Sequence, residues 1–207
     1  MSDTRTDSMG EYMSNLFFDT EFTDLQKDAE LLSIGIVADT GETFYAEVIN
    51  PDVNRCSEFV KQNVLPNMYT YGMSMDEIPY VPNMHVGDKN AIAASLEIWL
   101  KQFYGIQFIS DVCHYDFALL CDLFGGAEYL PNNASPVCHD INQDIAEYYQ
   151  ISENEAFDKS REEILSEFLS GKKHNAMYDA RVIRSIYEDL HSVAVSDPGE
   201  DVESKEE

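Results

Sequence analysis

Basic residues are what this chain most lacks: 13 Lys and Arg stand against 39 Asp and Glu in 207 residues, a formal charge of −26. A protein that grips duplex nucleic acid through its phosphates shows a basic face, so this balance argues against tight, sequence-blind duplex binding. Cysteine is also sparse. Cys56, Cys113, Cys121 and Cys138 form no C-x-x-C pair, and a zinc site built from Cys113, His114, Cys121 and His139 would match no usual ligand spacing. They read as reduced, buried small hydrophobes in a cytoplasmic protein without an apolar leader. No apolar run approaches the roughly 20 residues that cross a bilayer, because Leu31–Ala38 is interrupted by Ser33 and Gly35 and stops at Asp39, so no membrane is expected as partner. There is no internal repeat, and the single Trp99 falls in a helical apolar period with Ile92, Leu96 and Phe103, which assigns it to the core.

What is present suits one globular domain. An apolar fraction of 44% supports a continuous core at this length, so the charge is an overlay on a folded chain. Residues 1–14 are polar and 196–207 acidic, and both read as disordered tails; they carry net −2 and −5, leaving −19 on the domain at 15–195. The pattern predicts strands at Leu16–Glu21, Leu31–Ala38 and Thr43–Ile49, the last two joined by a turn at Asp39–Glu42. A short helix over Ser57–Val64 follows, then a connection from Asn67 to Asp88 with no clear period. Further helices are expected from Lys89 to near Gly105, over Tyr115–Phe124, and at about 140–149, 160–169 and 175–191, with short strands at Ile106–Ile109 and Pro136–Cys138. The order implies an α/β architecture: a mixed five-stranded sheet flanked by helices.

Three segments carry chemistry. Asp19 and Glu21, two apart on a strand, project from one face, where paired carboxylates repel unless a cation compensates. Alone, the pair reads more readily as a strand running out into a solvated loop. Asp116 opens an apolar helical run just after a strand, as a capping residue would, and Asp111 at the strand's end is its rival for a metal role. His174 precedes a helix that carries Asp179; on one continuous helix five residues would set them about 140° apart, so His174 must sit in the entry loop for both to reach one centre. Lys172 and Lys173 beside it form one of the few paired basic sites and suit a substrate phosphate, as Arg181 and Arg184 could, although Arg184 also stands i,i+4 from Glu188.

Asp19-Thr20-Glu21, then Asp116-Phe-Ala-Leu-Leu, then His174-Asn-Ala-Met-Tyr-Asp179-Ala-Arg resemble, in order and spacing, the motifs of the DEDDh 3'-5' exonucleases, over about Leu16 to Leu190. Tyr115-Asp116 ahead of a helix ending Leu-Phe-Gly is similar to the small mycobacterial-type exoribonuclease branch. The resemblance implies a ribonuclease-H-like fold and hydrolysis of single-stranded nucleic acid from its 3' end. It implies two divalent cations, Mg2+ or Mn2+, on Asp19, Glu21, Asp116 and Asp179, and His174 as general base. Thr20, Phe22, Tyr115 and Lys173 would meet the substrate, with Phe22 open to stacking on the terminal base or to the core. RNA is favoured over DNA on the finer resemblance only. A non-catalytic acidic mimic of nucleic acid is the reading from another class, and it would account for the charge directly. The oligomeric state stays open, a homodimer among the alternatives.

Overall fold

The computed structural model describes residues 13–78, 80–166 and 169–192; most of the two assigned tails therefore lies outside the described residues. β1 (Met13–Phe22), which begins two residues inside the span assigned to the first tail, β2 (Leu31–Ala38) and β3 (Thr43–Val48) form an antiparallel meander. Gly41 turns β2 into β3 at φ 104°, a conformation open to a residue without Cβ. Helix α1 (Glu58–Asn63) starts where the Ser57 side chain accepts from the Val60 N–H.

The next strand, β4 (Met84–Gly87), pairs in parallel with β3 and corrects the expected five strands to six. Helix α2 (Lys89–Leu100), capped by Asp88, buries Ile92, Leu96 and Leu100 on one stripe. β5 (Gly105–Ser110) lies parallel to β1, followed by α3 (Cys113–Leu123) and by β6 (Ala134–Asp140), parallel to β5. The last elements among the described residues are α4 (Ile141–Tyr149), α5 (Glu153–Asp158), α6 (Arg161–Ile164) and α7 (Ala176–Ser192). Of the helix expected over 160–169, only Arg161–Ile164 is helical, and residues 167 and 168 lie outside the described set.

The sheet runs in the order β4-β3-β2-β1-β5-β6 and is covered on both faces. Leu16, Phe18, Ile34, Ile36 and Phe44 pack against α2 and α3, with Trp99 against this core as expected. Phe17 and Ile109 face α4 and α7 on the other side. Burial on both faces is why β2 reads as an unbroken apolar run. Helix α7 crosses β2 at Gly35, where an added Cβ would lie 2.4 Å from the Ala176 and Met177 backbone. Cys113 at the start of α3 and Cys138 on β6 bring their sulfurs together, whereas Cys56 and Cys121 stand apart, so the four cysteines are less scattered in space than in sequence.

Candidate active site

The end of β1 presents Asp19 and Glu21 to the face covered by α7, with Thr20 turned the opposite way. Thr20 is 3% exposed and gives both its hydroxyl and its N–H to Asp116 Oδ1, at 2.6 and 3.2 Å. Thr20 thereby positions the Asp116 carboxyl. Ser110, the last residue of β5, donates its hydroxyl to Asp116 Oδ2. Asp116 is 1% exposed on the first turn of α3 and does not cap that helix, whose N-cap is Val112. The capping alternative is excluded, and the carboxyl is held from two strands.

The His174 segment reaches the same place from the other side. His174 adopts φ 61° ahead of α7, so the chain reverses there and the helical-face problem disappears. Asn175 anchors the reversal: its Oδ1 accepts from the Tyr178 N–H, and its Nδ2 donates to the Tyr45 hydroxyl and the Asn67 carbonyl. The backbone N–H groups of His174 and Asn175 lie close enough to the Asp179 carboxyl to favour its charged form. Phe59 of α1 packs edge-on against the imidazole, ring centroids 5.1 Å apart.

Two groups of ligand atoms result, each with its members within 4.8 Å of one another: Glu21, His174 and Asp179 in one, Asp19, Asp111 and Asp116 in the other. All five residues expected from the motifs converge. No group among the described residues joins Cys113, His114, Cys121 and His139. Asp19 Oδ2 is buried without a hydrogen-bond donor, an orphaned acceptor of the kind a cation satisfies. Burial and the neighbouring carboxylates Asp116, Glu21 and Asp179 push Asp19 well above the usual carboxyl range, and burial with Asp179 does the same to Glu21. Asp116 rises to about 7 by burial, against the lowering bonds from Ser110 and Thr20, and Asp179 rises to about 7 by burial and the charge of Asp111. Burial and the adjacent Lys173 hold His174 below its ordinary value. An all-oxygen set of mutually repelling carboxylates fits hard divalent cations.

The profile of the 3'-5' exoribonuclease Rv2179c-like domain matches residues 14–190. The chain belongs to this family. Members similar to this Rv2179c-like chain include the 3'-5' exoribonucleases MT2234.1 and Rv2179c of two Mycobacterium tuberculosis strains, each 29% identical over 129 residues, 61% of this chain and 71% of theirs. Among solved structures, a 3'-exonuclease with 3'-end specific recognition of histone mRNA stem-loop superposes with a TM-score of 0.61 at 16% identity. It is matched over 87% of this chain and 64% of its own length, just under two thirds. The nuclease domain of 3'hExo, a DEDDh family member bound to rAMP, gives 0.59 at 14% identity, over 90% of this chain and 94% of that one. The fold of the Rv2179c-like chain is therefore that of the DEDDh exonucleases, ribonuclease-H-like.

Phe22 and Tyr115, next in sequence to Glu21 and Asp116, stack on each other, 5.8 Å between ring centroids and 18° between planes, and Phe22 also packs against the core. Lys173 is exposed at the cleft and pairs with Glu162 at 3.3 Å. Sequence reasoning missed Arg161. Its Nε donates to Asp111 Oδ2 at 3.0 Å and its Nη2 to Asn142 Oδ1 at 2.6 Å, while Asn142 Nδ2 donates to the Asp111 carbonyl. Asp111 thus stands in the carboxylate group with its charge already countered, which separates it from Asp116. No local signal marked this pairing, because its partners lie 50 residues apart.

Proposed function

We propose that this family member is a metal-dependent 3'-5' exonuclease acting on single-stranded RNA. The observation that carries the reading is the convergence of Asp19, Glu21, Asp116, Asp179 and His174 on one cleft, with Asp19 Oδ2 buried and unpartnered. Asp19 with Asp116, and Glu21 with Asp179, are the carboxylates that would hold two cations, Mg2+ or Mn2+. When bound, the ions supply charge for the phosphodiester and ease both attack by water and departure of the 3' oxygen. Thr20 and Ser110 fix the Asp116 carboxyl in orientation before substrate arrives. His174 is kept neutral at physiological pH by its surroundings, so its free ring nitrogen takes a proton from the attacking water. Lys173 exchanges Glu162 for the substrate phosphate. Phe22 and Tyr115 offer aromatic faces to the terminal base.

An acidic mimic displays its carboxylates outward, whereas four of these are gathered inward at the end of β1. Matched single-stranded RNA and DNA, labelled at the 5' end and digested with Mg2+ or Mn2+, test the reading. We expect ladders shortened stepwise from the 3' end, with RNA preferred. A tenfold preference for DNA in kcat/KM would move the substrate class, and no cleavage with either ion would sink the catalytic reading.

A further inference from the structure

Across α7 from the carboxylates lies a second cavity, about 490 Å³, within the size range of small-ligand pockets. Asp179 and Arg181 are two residues apart on this helix, about 200° round its axis, so one faces the carboxylate cleft and the other this cavity. The entry loop is divided in the same way, since Lys173 and His174 line the cleft and Gly171 and Lys172 line the cavity.

Its chemistry is unlike the rest of the molecule. Among the described residues no Asp or Glu lines it, in a chain where acids outnumber bases three to one. Seven of the eleven Lys and Arg among the described residues pair with carboxylates, namely Arg55, Lys61, Lys89, Lys101, Arg161, Lys173 and Arg184. Of the remaining four, Lys172 and Arg181 both line this cavity. Aromatic surface accompanies them: Tyr69, 44% exposed, and Tyr178 stand in the wall, and Tyr45 in the floor has its hydroxyl fixed by Glu47 and Asn175. The Glu47 carboxylate is fully buried and also accepts from the N–H groups of Tyr69 and Thr70, so its acceptors are turned into the protein. Two cations beside flat aromatic faces match a phosphate joined to a base.

We propose that this cavity is a second nucleotide subsite, holding a base and phosphate of the substrate strand on the 5' side of the bond being cleaved. It rests on the exoribonuclease reading, because the loop shared by the two cavities leads a strand with its 3' end at the carboxylates past Lys173 to Lys172 and Arg181.

The test compares a diribonucleotide without a 5' phosphate, whose one phosphate is the one being cleaved and which therefore offers none to Lys172 and Arg181, with a single-stranded RNA of about ten nucleotides. Arg181→Gln and, separately, Lys172→Gln should raise KM for the longer RNA by about tenfold and leave kcat/KM on the dinucleotide within about twofold. Each should also flatten the salt dependence for the longer RNA, by about 0.7 in the slope of log kcat/KM against log salt. Equal loss on both substrates, or an unchanged length preference and salt slope in both variants, overturns the subsite. Wild-type protein inert on both substrates overturns the exonuclease reading itself, so the two failures are distinct.

Discussion

As the proposed general base, His174 owes its proton-accepting form to its surroundings. Its burial and the neighbouring Lys173 disfavour the imidazolium, so the proton-accepting form persists to lower pH than for a free histidine. Because only neutral imidazole accepts a proton, kcat/KM should rise with pH, and the midpoint of that rise should fall below the ordinary value near 6.5. His174→Ala should cut turnover by about 10²–10⁴ while retaining stabilisation by Mn2+, since the carboxylates remain. A pH–rate profile at saturating Mn2+ for both proteins checks this, and an unchanged rate in the variant would remove His174 from the mechanism. The residues of this site were legible because each motif joins a chemical type to a local spacing: Asp-x-Glu on a strand, Asp before an apolar helix, His ahead of a helix with Asp in its first turn. Arg161 and Ser110 were not, since their roles come from contacts across the fold.

At the scale of elements, the apolar rhythms of β1 to β3, α2 and α7 announced themselves. β4 did not: four half-buried residues, one His and one Gly, have no alternation to read. α5 was missed although Ser152 and Glu155 form a capping box, a signal present in the sequence. The contact that matters most for the site is the crossing of α7 over β2. Gly35 pairs with Asp19 across the strands and carries Ala176 on its face, so any side chain there lifts the start of α7. Gly35→Ala should destabilise the protein by about 1–3 kcal/mol, as overpacking does. It should also lower kcat by displacing His174 and Asp179, more than an equally destabilising change in α2 such as Ile92→Val, measured by thermal melts and turnover side by side. Equal turnover in the two variants would show that α7's seating is not what sets the site.

For the whole molecule, the cluster makes stability depend on pH in the opposite sense to an ordinary ion-paired carboxyl. Asp116 and Asp179 titrate near 7 when folded and near 4 when unfolded, so the folded state holds the extra protons between those values. That contribution is complete below about pH 4 and is lost as pH rises through 7. In chelator, the melting temperature should therefore climb as pH falls from 8 to 5. Relief of the general −26 charge acts in the same direction, so the informative quantity is the difference from Asp19→Asn, which should be inactive, more stable than wild type at pH 8 in chelator, and flatter in its response. A variant less stable than wild type under those conditions would make Asp19 a structural residue.

The four carboxylates and His174 come from β1, from α3 and from α7 with its entry, and Asp19 precedes Asp179 by 160 positions. During synthesis at about 5–20 residues per second, roughly ten to thirty seconds separate the first of them from the last. The meander can pair early through contacts close in sequence, but β5 must insert beside β1 and α7 must seat on Gly35 before the set is complete. A nascent chain, attached to a ribosome and surrounded by RNA, consequently carries only fragments of a nuclease until α7 docks.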